Sequence, residues 1–530
     1  MNSWIIVISF IITFHIETIF PSSLSSIDSI PRLVLFSFDG FRPDYITPET
    51  PNLLRISEMG VTSQMISTFV TKTFPNHQTI VTGLYEPYHG IINNQFTDPL
   101  SNGSFNVNDP SPFWWDQFNR TLPIYIANQL FDSKRFSGAV QWPGTISTYT
   151  DGQDPYRRYN ISYLIKYDPN MNWITMIDQV IDTWLLRPNN PANFVLIYLQ
   201  EPDATSHIYG PFSEEVKSKI WLIDEIVGHY IERIEKIPEL NDSLNTLFVS
   251  DHGMSEIAPD RWIFLNRCDH EYHGLRYELY GVSPVYSIVP ISCPNVWSNC
   301  NDVAVGVRDA LNLCSKQFYD EKFTVYLQKD IPDEYHYKNN RRILPIFLLA
   351  DDGYQVEYDK QYERRGNHGF NNTLESMKPL FIGIGPRFKH RYRHETIIEN
   401  VDLFPLMLEL LKMPIKEYKS NGSFHRVRSM LEYTYNIDSY ELADEFDERK
   451  TVFSSTQQEK TFIIELAIFL TILILILFLG FGICISRLNQ SKNRFAWKPI
   501  IPKKPVPIIE IESCSSRINS ETINSYSSIH

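Results

Sequence analysis

The chain has 530 residues, 43% hydrophobic and 14% aromatic, enough to bury one large core or several. Its formal net charge is -14 at pH 7, and no long basic block precedes the C-terminal region. This excludes a surface built to hold nucleic-acid polymers, so any phosphate chemistry must rest on cations gathered in a local site.

An apolar run over 4–14 leads to Ser22, Ser23, Ser25 and Ser26, the order of a signal peptide spanning 1–26, although no Lys or Arg precedes the run. Residues 33–38 form a short apolar run ending in Asp39-Gly40 and read as a buried strand; 51–59 reads as a short helix. The hexapeptide K-T-F-P-N-H, 72–77, sets a hydroxyl just before a proline and a helical run over 76–82. Thr73 is thereby expected at a helix N-terminus, where free amides and the dipole favour an anion. A threonine at that position also serves as an ordinary cap. Residues 98–120, rich in Asn, Ser, Asp and Pro, read as a long loop.

Helical spacing returns over 176–186, and a second apolar run, 194–199, leads into Glu201-Pro202-Asp203. Over 213–234 an amphipathic helix sets Val216, Ile220, Ile223, Val227, Tyr230 and Ile234 on one face. A third run, 246–249, ends in Ser250-Asp251-His252-Gly253. Further strands are expected over 343–350 and 380–384, with a last core helix over 400–411. Strands alternating with helices predict an α/β domain over 27–431, its central sheet largely parallel and flanked by helices.

An acidic stalk, 432–461, precedes an apolar run over 462–485 whose one charge is Glu465. At about 1.5 Å rise per residue this run exceeds a ~30 Å hydrocarbon core and reads as one transmembrane helix. Asp444, Glu445, Asp447 and Glu448 precede it; Arg487, Lys492, Arg494, Lys498, Lys503 and Lys504 follow. The positive-inside rule makes this a type I protein of the cell membrane, with the tail, 486–530, in the cytoplasm and the large domain outside. Glycosylation sequons at Asn102, Asn119, Asn160, Asn241, Asn371 and Asn421 all fall on the outer side, and the one at Asn489 falls inside. Cys268, Cys293, Cys300 and Cys314 lie in the outer part without a C-x-x-C pair, which favours two disulfides over a zinc site and leaves three connectivities open. Cys484 and Cys514 lie in the span and tail, and Cys484 is placed for palmitoylation.

Three expected strands thus end in carboxylates, Asp39, Asp203 and Asp251. Ligands bind at the carboxyl ends of strands in open α/β sheets, and three acids gathered there need cations between them. Histidines accompany them. His207 follows Asp203 at i+4, His252 follows Asp251, and His368 sits in R-G-N-H-G. Oxygen and imidazole donors suit zinc. Singly, each piece is an ordinary turn, helix-surface pair or cap; together they form a pattern.

The motifs F-S-F-D-G-F-R (36–42), K-T-F-P-N-H-Q-T-I-V-T-G-L-Y (72–85), H-G-I-I-N-N (89–94), E-P-D-A-T-S-H (201–207), S-D-H-G-M (250–254) and G-N-H-G-F (366–370) resemble, in order, those of the nucleotide pyrophosphatase/phosphodiesterase family of the alkaline phosphatase-like superfamily. The resemblance spans roughly 32–415 and implies two zinc ions. One would be held by Asp203, His207 and His368; the other by Asp39, Asp251 and His252, with Thr73 as a further ligand and as the nucleophile. It implies that Asn94 and the backbone amide after Thr73 bind a phosphate oxygen. It also implies that Phe74 stacks on a nucleotide base with Tyr167 as the opposite wall. A member of this kind releases nucleoside 5'-monophosphates through a phospho-threonine ester from small nucleotides such as dinucleoside polyphosphates, NAD, ADP or ATP. Two other readings compete. One is a choline-phosphate or lysophospholipid diesterase; the other is a non-catalytic surface protein that binds ligands. The second would ordinarily have lost a metal ligand or the nucleophile, and none is missing here.

Overall fold

A computed structural model describes residues 30–432 apart from 102, 117–121, 155, 273–274, 292–300 and 360–363. Its centre is an eight-stranded sheet. The strands are β1 (Arg32–Phe38), β2 (Val61–Ile66), β3 (Ser137–Val140), β4 (Tyr163–Ile165), β5 (Phe194–Leu199), β6 (Leu244–Val249), β7 (Phe381–Ile384) and β8 (Tyr392–Glu399). They run in the order β8-β2-β7-β6-β1-β5-β3-β4. All neighbours pair in parallel except β7, which runs antiparallel to both β2 and β6. The sheet is therefore mixed but mainly parallel, as the strand–helix alternation predicts.

β1 is central and buried on both faces. Leu33 and Leu35 enter one core, while Val34, Phe36 and Phe38 enter the other. That is the two-residue period of a strand covered on both sides, and each fully buried aliphatic or aromatic side chain contributes about 1.5–3 kcal/mol. The helix Glu214–Glu235 covers the second face. Ser213 caps it by accepting a bond from the Val216 amide. The six apolar residues expected on its inner face are all buried, and Tyr230 meets Phe36 edge-on at 4.9 Å.

Register positions the chemistry. Phe38 pairs with Leu199, and Ser37 with Val249, so β1, β5 and β6 end at one level. The segments that leave them carry Asp39, Asp203 and Asp251, with Asp203 opening the helix Asp203–Tyr209.

Between β6 and β7 the chain builds a second, four-stranded antiparallel sheet from Tyr277–Val282, Val285–Pro290, Phe323–Leu327 and Ile346–Ala350. The strand expected over 343–350 lies here and not in the main sheet. The helix Asn301–Phe318 packs on this sheet. A disulfide, Cys268–Cys314, ties that helix to the helix Leu265–Glu271. Cys293 and Cys300 lie outside the described residues, as do the expected signal peptide, stalk, membrane span and tail. Among the described residues, no helix is long and apolar enough to cross a membrane. Two expected helices change character along their length. The segment 176–186 is an α-helix to Val180 and a π-turn over Ile181–Leu185, and 400–411 opens with a 3-10 turn, Asn400–Asp402, before the helix Leu403–Leu410.

Candidate metal centre and nucleophile

Thr73 is the first residue of the helix Thr73–Thr82. Lys72 occupies the capping position, and no side chain caps the helix there. The Thr73 hydroxyl is thus not spent on a cap. Its Oγ1 lies 3.3 Å from His252 Nε2, in a site where Thr73 is 5% exposed. The next amide, Phe74 N–H, donates to Asn94 Oδ1 at 3.0 Å, and Asn94 Nδ2 faces Thr73 Oγ1 at 3.5 Å. The nucleophile candidate, the Phe74 amide and Asn94 therefore lie side by side.

The acidic and imidazole side chains converge beside it. His252 Nε2 lies 3.1 Å from Asp251 Oδ2 and 3.4 Å from Asp39 Oδ1. Asp203 sets Oδ2 3.2 Å from His207 Nε2 and Oδ1 3.4 Å from His368 Nε2. The rings of His252 and His368 stack at 3.6 Å, joining the two halves. Asp39, Asp251 and His252 offer ligand atoms within 4.8 Å of one another, and so do Asp203, His252 and His368. His207 stands at the edge of the second group through Asp203. All three histidines turn the same nitrogen away. Nδ1 of His207 meets Gly366 O, that of His252 meets Gly253 O, and that of His368 meets Thr71 O, each at 2.8 Å. Bonding to a carbonyl requires Nδ1 to carry the proton, which leaves each Nε2 as a lone pair aimed at carboxylates. Asp39 Oδ1, Asp203 Oδ1 and Asp251 Oδ2 are buried and accept no hydrogen bond. Lone pairs facing unsatisfied carboxylate oxygens repel unless a cation lies between them, so these residues fit divalent metal. The mix of imidazole and carboxylate donors without thiolate suits zinc.

The electrostatics agree. Burial, then the neighbouring Asp251 and Asp203, push the Asp39 carboxyl well above its ordinary range. Burial also raises Asp251, but His252 and His77 outweigh it and bring the carboxyl down to about 2. Burial lowers His252, but Asp251 outweighs it and raises the imidazole, so a proton and a cation compete for Nε2. His368 is driven well below the usual range by burial and by His252, Lys72 and His207, which keeps its Nε2 free of protons.

The local fold explains how distant residues meet. Gly366 and Asn367 pair antiparallel with Glu256 and Ser255, just after β6, and this short ladder returns His368 to the strand ends. Gly369 N then donates to Thr71 Oγ1 at 2.9 Å. Gly40 has φ 64°, in the left-handed region, and its amide donates to Asp251 Oδ1 at 3.1 Å.

Phe74, half-buried, meets Phe105 edge-on at 6.3 Å. Tyr167 is 54% exposed, and its hydroxyl donates to Gln200 Oε1, three residues before Asp203. Several further residues border the site. Tyr198 donates to Asp39 Oδ2 at 2.5 Å. His77 bridges Thr73 O at 2.7 Å and Ser37 Oγ at 2.9 Å, and lies 3.5 Å from Asp251. Lys72, buried, donates to Ser283 O at 2.8 Å. Arg364 reaches His207 from outside. His77 stands within the K-T-F-P-N-H motif, but its partners are set by packing.

Residues 33–371 match the family model for type I phosphodiesterase / nucleotide pyrophosphatase. The bis(5'-adenosyl)-triphosphatase ENPP4 of Homo sapiens is 38% identical over 408 residues, 76% of this chain and 82% of that protein. Ectonucleotide pyrophosphatase/phosphodiesterase family member 5 of Homo sapiens is 33% identical over 407 residues, 76% of this chain and 78% of that one. The solved structure of human ENPP5 superposes with a TM-score of 0.66 at 32% identity, covering 76% of this chain and 100% of that chain. An inactive form of murine ENPP5 in complex with AMP gives the same TM-score, identity and coverage. The motifs, the sheet and these likenesses agree, and the chain belongs to the ectonucleotide pyrophosphatase/phosphodiesterase family within the alkaline phosphatase-like superfamily.

Proposed function

We propose that this chain is an extracellular, zinc-dependent hydrolase that cleaves phosphodiester or pyrophosphate bonds of small nucleotides and releases nucleoside 5'-monophosphates. The observation that carries the reading is the set of three histidines with Nδ1 committed to carbonyls and Nε2 facing carboxylates, the oxygens before His252 and His368 being buried and accepting no bond. Relatives support the substrate class: human ENPP4 is named a bis(5'-adenosyl)-triphosphatase, and murine ENPP5 has been solved with AMP. The sequence supports the setting, a signal peptide over 1–26 and a type I anchor over 462–485.

Two zinc ions, held by Asp203, His207 and His368 and by Asp39, Asp251, His252 and Thr73, would supply charge neutralisation at the phosphoryl group and lower the pKa of a bound hydroxyl. The chain's own residues do the rest by position. Thr73 Oγ1 attacks phosphorus in line, forming a phospho-threonine ester as the bond to the leaving oxygen breaks. Asn94 Nδ2 stands beside Thr73 as a donor to a phosphoryl oxygen that gains charge, and the Phe74 amide would join it by exchanging Asn94 Oδ1 for that oxygen. Water then cleaves the ester and restores the hydroxyl. Phe74 and Tyr167 would hold the base.

The test is a substrate panel on the full-length chain with zinc: a nitrophenyl ester of a nucleoside 5'-monophosphate, a dinucleoside triphosphate, and nitrophenyl phosphocholine, each with and without chelator. Chelator-sensitive release of nucleoside 5'-monophosphate is expected. Turnover of the choline ester alone, or of nothing, would overturn the reading.

A further inference from the structure

We infer that Arg364 is the receptor for phosphate groups beyond the scissile bond, which makes this site selective for phosphoric anhydrides over simple phosphodiesters. This deepens the proposed function and rests on it. The argument begins with an order in space. Thr73 Oγ1 lies 3.3 Å from His252 Nε2; His252 stacks on His368 at 3.6 Å; His368 and His207 have ring centres 5.0 Å apart; and Arg364 Nη1 lies 3.3 Å from His207 Nδ1. The nucleophile candidate and the guanidinium therefore stand at the two ends of this chain of contacts. In an in-line displacement the leaving group departs on the side opposite the nucleophile, and Arg364 is the cation at the end of the chain of rings away from Thr73. When the leaving group is a phosphate or nucleotide, the bridging oxygen takes the bond electrons and the departing fragment gains negative charge there. A simple alkyl or aryl leaving group carries no phosphate for a cation to meet.

Chemistry favours Arg364 over its neighbours. Lys72, the other cation among the described residues at the centre, is buried and committed to Ser283 O. Arg364 is half-buried, with access to solvent. Its two polar contacts are weak: His207 Nδ1 already gives its proton to Gly366 O, and Asn367 Oδ1 stands 3.4 Å away. Among the described residues no carboxylate lies within ion-pair distance of it. A planar guanidinium with five donors, always charged and weakly engaged, is suited to grip a phosphate with two bonds at once.

Binding can be separated from turnover by using the full-length chain carrying Thr73→Ala, loaded with zinc. Calorimetry would compare AMP with adenosine 5'-(α,β-methylene)diphosphate, which carries one further phosphoryl group that cannot be hydrolysed. Adding Arg364→Ala is expected to weaken the diphosphate analogue at least tenfold more than AMP, with Arg364→Lys retaining part of the difference. Zinc content, measured on the same samples, is expected to stay at that of the parent. Equal losses for the two ligands, or loss of zinc together with both, would make Arg364 a support for His207 and overturn the inference. So would a parent that binds the diphosphate analogue no more tightly than AMP. A parent that binds neither ligand overturns the proposed function as well.

Discussion

His368 Nδ1 lies 2.8 Å from the carbonyl oxygen of Thr71, two residues before Thr73. The last candidate ligand in the chain is thereby fixed to the turn that carries the candidate nucleophile. Metal geometry and nucleophile geometry are not independent here, because one stretch of backbone sets both.

That coupling can be tested at Thr71. Its hydroxyl donates to Phe370 O at 3.0 Å and accepts from the Gly369 amide at 2.9 Å, clasping the residues after His368. Thr71→Val keeps the volume and leaves the buried Gly369 N–H without a partner. The expected cost is about 1–3 kcal/mol of stability. A fall in melting temperature, with faster loss of zinc to a chelator, would be seen by scanning calorimetry and metal analysis. An unchanged zinc off-rate would show that His368 does not need the clasp.

Tyr198 holds Asp39 from behind, donating to Oδ2 and leaving Oδ1 directed at His252. Tyr198→Phe removes the donor with little change of shape. Partners of this kind are worth about 10–100-fold in metal affinity. A competition titration with a zinc-binding dye should show a loss in that range, with the melting temperature of the zinc-saturated protein little altered.

Thr73→Ala should bind zinc nearly as the parent does, because three protein ligands remain in each proposed group, while turnover falls by about 10³-fold or more, as when a nucleophile is removed. Metal analysis beside initial rates on the nitrophenyl nucleotide ester makes the comparison. Near-normal turnover would refute the nucleophile role.

Glu86 lies under the helix Thr73–Thr82, fully buried, with Oε1 accepting from Thr68 at 2.5 Å and Oε2 unpaired. Burial raises its carboxyl well above the ordinary range. The folded protein therefore keeps this proton at pH values where the unfolded chain has released it. Stability is greatest below the unfolded pKa, near 4.5, and falls as pH rises from there toward the folded value, by about 1.4 kcal/mol for each unit of difference. Glu86→Gln should flatten that slope and raise the melting temperature at pH 7 relative to the parent. A slope unchanged in the variant would show that Glu86 does not titrate as described.

The parts of the fold that sequence made legible are those that are apolar and central. β1, β5 and β6 are continuous apolar runs because both of their faces are covered, and their ends delivered Asp39, Asp203 and Asp251. β2 and β8 escaped notice for the opposite reason. Y-R-H-E-T-I-I-E forms the edge of the sheet and V-T-S-Q-M-I lies next to it, and both keep polar side chains at the surface. The run ending at Ala350 was legible as a strand, but nothing in it distinguishes a place in the main sheet from one in the inserted sheet. At the site, Tyr198, Ser37 and Arg364 are ordinary residues in ordinary contexts. Their partners, Asp39, His77 and His207, come from other parts of the sequence, and only packing brings them within bonding distance.

The ladder between Ser255–Glu256 and Gly366–Asn367 has a consequence for how the protein is made. Everything between its two short strands includes the whole inserted sheet and the disulfide-tied helices. A growing chain exposes Thr73 and all three aspartates well before His368 emerges. The centre can close only when the insertion has folded and brought that histidine home. Acquisition of a complete metal set would then report that the insertion is in place, and a chain truncated before His368 would carry Thr73 without the full set of candidate ligands.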